Sequence, residues 1–589
     1  MAIYQQRKEA FSDQLESITK NYNAISIARL ITVLLLLAFL FFGIKRNENL
    51  WFVGAAILFV VFVFLMRKHS ELSYQKKLKQ ALVKINSDEI DYLERKSLPF
   101  ENGSQHQDFS HLYAYDLDIF GEHSLFQNLN RTATFIGQKI LANQLLTLLS
   151  NEQILQNQAA IQELSGKLEW RHELMALGQI SHDNKEQYEN LLRWSRSGNS
   201  PLSKFQVFLS FLSPIVLIGS FAGYLITDDS FLIKITSFLF AFNLFLLGLC
   251  TKRIKSEIQH AEGIDKIINQ YSEIVKNIET ESFSSEKANV LKQQLFDKNQ
   301  SASAHLKKLS GLFSNLDSIG NLFSTVLFNG IFLFHVHVLK ALLHWKKNHS
   351  AQLENWLDTI GEFEMLSSLA NLAYNNHDFT FPKLNDQHTI YFKNLSHPLL
   401  NNDTRVGNDV RFNPQFMILT GSNMSGKSTF LRSLGINMVL TGIGSAVCAH
   451  EANVHPLPVL VSMRLSDSLA DSESYFYAEI KRLKQIMDGL DDKRAFVLLD
   501  EILRGTNSDD KRSGTIGVVK KMIEKQAIGA IATHDIEVCQ MTDAFPESLT
   551  NKCFEVEIIS NDLHFDYKLR NGICRNKSAT FLMTKTGII

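Results

Sequence analysis

The chain has 589 residues, too many for one ordinary core, so two or more folded units are expected. Its formal net charge of -1 gives no sign of a globally basic DNA-binding protein and leaves only a local basic face open. The five cysteines (Cys250, Cys448, Cys539, Cys553, Cys574) form neither a CxxC pair nor a zinc-ligand spacing, so they read as structural or incidental thiols of a reducing compartment.

Many of the 42 phenylalanines fall in a few apolar runs. The first two runs, Leu30–Ile44 and Leu50–Met66, are separated by the short polar stretch Lys45–Asn49. Each is slightly shorter than the roughly 20 residues a bilayer core takes, and Arg29 can lengthen the first by snorkelling. A cleaved signal peptide fits poorly, because the polar N-terminal stretch is long and a second apolar run follows at once. Residues 1–70 are therefore expected to be a membrane hairpin with spans at 28–44 and 50–66, and residues 71–110 a polar helical linker.

From Leu112 to Leu192 aliphatic residues recur at three- and four-residue spacing, as in Ile140, Leu141, Leu145, Leu148 and Leu149, which predicts helices. A second apolar hairpin follows, with spans at 205–227 and 231–251 around the acidic turn Asp228-Asp229-Ser230. Arg193, Arg196 and Lys204 precede it and Lys252, Arg253 and Lys255 follow it, so the positive-inside rule places both flanks in the cytoplasm. Buried helices of a soluble all-α domain are the alternative for both hairpins. Nearly charge-free runs that come in pairs with cationic flanks favour the membrane. The polar stretches 70–95 and 252–300 read as solvated helices. Leu322–Leu343 is apolar but interrupted by Asn329, His335, His337 and Lys340. A fifth span here would carry the nucleotide site downstream across the membrane, so a soluble core helix is expected.

Near residue 390 the texture changes. Short β-rich runs (Thr389–Phe392, Phe416–Thr420, Phe496–Asp500, Ala527–Thr533) alternate with helical stretches, which implies a parallel sheet with crossover helices after a boundary near Phe381-Pro382. The pattern GxxxxGK[ST] is met by Gly421, Gly426, Lys427 and Ser428, with the strand Phe416–Leu419 before it and the helix Phe430–Val439 after it. Backbone N–H groups of such a loop wrap phosphates at a helix N-terminus. Lys427 would reach the β- and γ-phosphates of ATP, and Ser428 would hold Mg2+. Downstream, Ala495–Glu501 is an apolar run ending in two carboxylates, the form of a buried strand delivering acids to a ligand edge. Asp500 would complete the Mg2+ shell and Glu501 would polarise the attacking water. A third strand ends at His534, beside the same edge, as a candidate γ-phosphate sensor.

These residues resemble one family, the MutS mismatch-repair ATPases. The whole phosphate loop (Gly421, Ser422, Asn423, Met424, Ser425, Gly426, Lys427, Ser428, Thr429) resembles that of the family, with Ser422 and Ser425 where proline and glycine are usual. Asp467–Phe476 resembles the family's signature segment, and Ser474 matches the serine that reaches the nucleotide of the opposite subunit; Tyr475 replaces the usual threonine. Asp500–Thr506 is similar to the family's Walker B element and following loop, with Leu503 in place of a glycine, and Ala532–Asp535 matches its histidine switch. Asp116–Leu145, Glu364–Tyr374 and His397-Pro398 are similar to the helical core and its joint to the ATPase.

The resemblance implies a homodimer with composite ATP sites, an α/β P-loop ATPase domain of ABC type over 381–589, and an all-α core over 111–380 carrying the second hairpin. The catalytic set implied is Glu501, His534 and Lys427. The aromatic-x-Glu wedge of the mismatch-reading domain is not found outside segments assigned elsewhere, and the second hairpin takes the place of the family's DNA clamp. A membrane-anchored, multi-pass ATPase at the inner (cytoplasmic) membrane is therefore expected, with the lipid bilayer as partner and the ATPase domain in the cytoplasm. A DNA-binding repair ATPase tethered at the membrane is the alternative, although the cations of 252–310 are interleaved with acids. A transporter ATPase fits less well, since the signature segment lacks a Leu-Ser-Gly-Gly sequence.

Overall fold

A computed structural model describes the chain except residues 182, 199, 259–262, 298–299, 414, 465–474, 560–561, 575–580, 582, 584–587 and 589. Two helices of 45 residues each, α1 (Ala2–Arg46) and α2 (Asn49–Leu93), lie antiparallel around a turn in which Asn47 takes a left-handed conformation. At 1.5 Å per residue each is about 68 Å long, roughly twice an apolar bilayer core of about 30 Å. The half next to the turn is apolar and exposed, with Leu34 58% and Phe41 60% accessible. The other half is polar and docks on the rest of the chain: Tyr4 is fully buried, stacks on His172 and donates to Asn375 Oδ1 at 2.7 Å. The linker expected over 71–110 is α-helical only to Leu93, where the chain turns towards Pro99 and Gly103, whose φ is 69°.

The helices of the core include α3 (Phe135–Gln144), capped by the Thr134 hydroxyl, and α4 (Leu168–Ser181). Ile136, Leu141 and Leu145 point inward, whereas Leu148 lies beyond the end of the helix and is exposed. A second pair of apolar helices follows, α5 (Lys204–Thr227) and α6 (Ser230–Ile258). Together α1, α2, α5 and α6 are four helices long and apolar enough to cross a membrane, with no more than 22% of any apolar stretch buried. Next, α7 (Ile264–Thr280) is not the solvated helix expected: Ile267, Ile268, Tyr271, Ile274, Val275 and Ile278 line one buried face. It packs beside α8 (Ala302–Asp317), with Ser272 donating to the Ser303 carbonyl at 2.8 Å.

The apolar stretch expected as one core helix over 322–343 is broken. A short α9 (Leu322–Phe332) meets a 42-residue α10 (Phe334–Asn375) at Leu333, which is left-handed at φ 50°. From Leu339 onward α10 is the spine of the core, burying Leu342, Trp356, Leu357, Phe363 and Leu366 among the helices around it.

Two sheets follow. Strands β1 (Lys383–Leu384), β2 (Ile390–Leu395), β3 (Asn408–Phe412), β4 (Phe416–Gly421), β5 (Glu451–Val454), β6 (Val459–Ser462), β7 (Phe496–Asp500), β8 (Ile528–Ala532), β9 (Leu549–Phe554) and β10 (Leu569–Asn571) divide between them. The smaller sheet has the order β1-β5-β2-β3 and the larger β10-β9-β4-β8-β7-β6. The larger is parallel apart from β10, which runs antiparallel on β9. Every residue of β4, β7 and β8 is buried, because helices cover both faces: α11 (Lys427–Gly442) against one cluster, and α12 (Tyr475–Asp492), α13 (Ser508–Glu524) and α14 (Ile536–Ala544) against the other. Buried on both faces, these strands read as continuous apolar runs and deliver the residues after them to one carboxyl edge.

Candidate nucleotide site

Strand β4 ends at Gly421 and the chain winds through residues 422–426 into α11, whose cap Gly426 has φ 97°. A Cβ on Gly421 would lie 2.5 Å from Ser425 Oγ and 3.0 Å from the Phe554 carbonyl, so only glycine permits this close turn. The Lys427 ammonium folds back over the loop and donates to the carbonyls of Gly421 (2.9 Å) and Ser422 (3.0 Å). Burial pulls its pKa down, while Glu501 and Asp500 oppose that shift. Ser428, one residue on, donates its hydroxyl to Asp500 Oδ2 at 2.6 Å.

Asp500 closes β7. Its other oxygen, Oδ1, is buried with no hydrogen-bond partner among the described residues, as are the hydroxyls of Ser422 and Ser425. A buried carboxylate oxygen without a donor is costly unless a cation meets it, so this donor set fits Mg2+. The loop's orphaned hydroxyls fit phosphate oxygens in the same way.

Glu501 follows in a left-handed conformation, φ 50°, which turns its side chain out of the strand. Its Oε1 lies 2.7 Å from His534 Nε2. That hydrogen bond is the main reason the carboxyl is pulled down to about 2; burial acts the other way, and Arg504 and Lys427 add to the lowering. The loop after Glu501 is gripped by the buried Glu479 of α12, which accepts the backbone N–H of Leu503 at 2.6 Å and of Arg504 at 3.2 Å. Leu503, which stands where the family resemblance has glycine, is itself left-handed at φ 62°.

Asn423, Met424, Ser425, Gly426, Lys427, Ser428, Thr429 and Glu501 line one cavity of about 550 Å3, within the size range of small-molecule sites. Gly421, Ser422 and Asp500 form the layer behind this lining, and His534 stands behind Glu501. Ser474 and most of the signature segment lie outside the described residues. Sequence reasoning missed the opposite wall, made of His397, Leu400, Val406, Phe554 and Tyr567. These come from three separate stretches that meet only in the fold: Asn408 donates to the Tyr567 carbonyl at 3.0 Å, and Phe430 meets Phe554 edge-on at 5.6 Å. Burial pulls the His397 imidazole down to about 4, with Arg432 adding to the effect, so it is neutral at pH 7.

Residues 417–586 match MutS domain V. The C-terminal region is thus a P-loop ATPase domain similar to that of MutS proteins. Among similar proteins are MutS protein homolog 4 of Homo sapiens, 29% identical over 38% of this chain and 24% of that protein. DNA mismatch repair protein MutS of Methanosarcina barkeri is 31% identical over 35% of this chain and 23% of its own length. The protein of that name in Ehrlichia chaffeensis is 33% identical over 37% and 27%. The chain spans about a quarter of the length of these relatives.

Proposed function

We propose that the protein is a membrane-anchored ATPase of MutS type that binds and hydrolyses ATP in composite sites of a homodimer, at the inner (cytoplasmic) membrane with the ATPase domain in the cytoplasm. The observation that carries the reading is the pair of contacts on one sheet edge, Ser428 to Asp500 and Glu501 to His534, facing the phosphate-loop cavity. The backbone of residues 422–428 binds the phosphates, and Lys427 exchanges its two carbonyl partners for β- and γ-oxygens. Ser428 and Asp500 are the residues that would hold Mg2+, which neutralises charge on the transferring phosphoryl group. Glu501, kept ionised by His534, orients the attacking water through Oε2, the oxygen that lies 3.6 Å from Arg504 Nε. Leu400, Val406 and Tyr567 offer an apolar face for the base. Ser474 completes the site of the opposite subunit. The bilayer supports the remaining surface: α1, α2, α5 and α6 leave their apolar stretches exposed, an arrangement that costs nothing in lipid.

A second reading, a DNA-repair ATPase tethered at the membrane, draws on the names of the relatives, two of which are DNA mismatch repair proteins. The family match lies within the ATPase region, so this reading stands second.

The test is an ATPase assay on the full chain in liposomes, with and without duplex, mismatched and branched DNA. Hydrolysis that is lost in Glu501→Gln while ATP binding persists, and that falls in Ser474→Ala, is expected. A monomer with full activity and an unaffected Ser474→Ala variant would refute the composite site. Salt-dependent DNA binding that stimulates hydrolysis would move the second reading to first.

A further inference from the structure

The short helix α9 is built inside out. Its apolar side chains face away from the protein, with Leu322 77%, Phe323 78%, Phe328 47% and Phe332 48% exposed, while Asn329 is fully buried. These exposed positions surround more than half of the helix, so the described residues leave no polar face with which it could lie flat on a membrane surface. Its described polar groups are closed within the fold. The Thr325 hydroxyl donates to the Ile319 carbonyl at 2.9 Å, and Asn329 Nδ2 donates to the Thr325 carbonyl at 2.7 Å. Asn329 Nδ2 also lies 2.7 Å from His335 Nδ1, and the His335 N–H donates back to Asn329 Oδ1 at 2.9 Å. His335 Nε2 and Ser318 Oγ are 3.1 Å apart, so the break at Leu333 is pinned from both sides. Water-facing surface is normally the reverse of this.

The helix is continuous with the second apolar hairpin. Gly330 sits against the Phe240 ring so closely that a Cβ there would meet it at 2.2 Å, and its carbonyl accepts from Asn243 at 2.9 Å. Asn243 in turn accepts from Ser213 at 2.6 Å, so α9 is joined to α5 and α6 well inside their apolar lengths. Both chain ends of α9 stay with the helical core. The preceding α8 buries Leu306, Leu309 and Phe313 there, and Trp345 of the following α10 donates to the His305 carbonyl of α8 at 3.0 Å. The two arms of the bend, Thr325–Phe332 and Phe334–Asn375, meet at 79°. With 11 residues, α9 is about 16 Å long, half an apolar bilayer core of about 30 Å.

We propose that α9 is a re-entrant membrane element: it enters the bilayer from the ATPase side, packs on α5 and α6, and turns back at Leu333, with lipid acyl chains covering its exposed side chains. This rests on the membrane reading above and adds a third lipid contact, one continuous with the spine helix α10 that runs towards the ATPase domain.

The test uses the full chain in phosphatidylcholine liposomes with an added cysteine at Phe323→Cys or Phe328→Cys, read against the unsubstituted chain. Phe238→Cys in α6 marks a lipid-facing position and Lys308→Cys in α8 a water-facing one. Bimane at 323 and 328 is expected to be quenched by acyl-chain nitroxide lipids to at least half the extent seen at 238. Membrane-impermeant maleimide, added outside or trapped inside, should label both cysteines at least tenfold more slowly than the one at 308. Positions 323 and 328 behaving like 308 while 238 is quenched would overturn the re-entrant element and leave the anchor standing. Labelling of 323 from the side opposite to 308 would overturn it in favour of a full crossing. If 238 also behaves like 308, the anchor itself fails and the inference with it.

Discussion

Glu89 near the end of α2 and Arg131 just before α3 form an ion pair in which neither side chain is more than 5% exposed. Glu89 also accepts from Asn371 at 3.1 Å and Asn375 at 3.2 Å, both on α10, and Arg131 lies 3.5 Å from the centre of the Phe100 ring. Burial pushes the Glu89 carboxyl up, but the charge and hydrogen bond of Arg131 outweigh it and the net shift is downward. The N-terminal hairpin is therefore locked to the spine helix by a charge that has no other partner of opposite sign among these contacts.

Removing one member leaves the other buried and unpaired. Glu89→Ala should lower the unfolding free energy of the helical core by about 3–5 kcal/mol, whereas the paired apolar replacement Glu89→Leu with Arg131→Met should cost far less. Chemical denaturation of the solubilised chain, followed by the fluorescence of the core residues Trp170, Trp194, Trp345 and Trp356, measures both. Equal losses in the single and double variants would show that packing, not the charge pair, makes the joint.

The Glu501–His534 contact predicts a pH effect. With its carboxyl at about 2 against an ordinary 4.5, Glu501 stays ionised throughout the working range. The pairing contributes stability that is present above 4.5 and is lost as pH falls through about 2. Removing the imidazole raises the carboxyl towards its ordinary value, and a protonated Glu501 cannot serve in the water-orienting role proposed for it. His534→Ala should therefore acquire an acid limb in its hydrolysis rate at about pH 4–5 that the unsubstituted chain lacks. Rate profiles of the two proteins over that interval decide it; superimposable acid limbs would remove His534 as the group holding Glu501.

The half of the site that was legible in the sequence is the half built by backbone pattern. Gly421, Gly426, Lys427, Asp500 and Glu501 each follow directly from a strand that the neighbouring apolar run already announces, so local order fixes where they arrive. Tyr567, Phe554 and His397 carry no such mark, because their place depends on how distant strands pair. Helix α7 reads as solvated for a related reason: polar and charged residues of all kinds fill most of its positions, while one face of isoleucines settles its burial. The break at Leu333 was illegible too. Neither proline nor glycine sits there, and the bend is held by His335, Asn329 and Ser318 across the turn.

Leu503 sets two effects against each other. Its left-handed backbone costs roughly 1–2 kcal/mol for a residue with a side chain. Its buried side chain, 8% exposed, contributes more, since emptying such a site costs about 2–5 kcal/mol. Leu503→Gly relieves the strain but opens the cavity and adds freedom to the unfolded chain, so a net loss of about 1–3 kcal/mol is expected. A melting temperature equal to or above that of the unsubstituted chain would show that backbone strain outweighs packing here.

Asp116 holds both flanks of the segment that carries Ser474. Its Oδ1 accepts the N–H groups of Met463 (2.7 Å) and Arg464 (2.8 Å), immediately before residues 465–474, and its Oδ2 accepts from Arg482 of α12 at 2.9 Å. Asp118 pairs with the Arg464 guanidinium beside it. The helical core thus grips the ends of the proposed trans-acting segment without touching the phosphate site. Asp116→Asn keeps the volume but loses the charge, and a single amide oxygen cannot serve all three donors. Hydrolysis should fall about tenfold, equivalent to about 1.4 kcal/mol of transition-state stabilisation, while ATP binding at the phosphate loop is largely kept. The double variant with Ser474→Ala separates positioning from general damage. If Asp116 acts by placing Ser474, the double variant loses no more activity than Ser474→Ala alone. If the two losses multiply, Asp116 acts elsewhere, and the grip is a structural joint only.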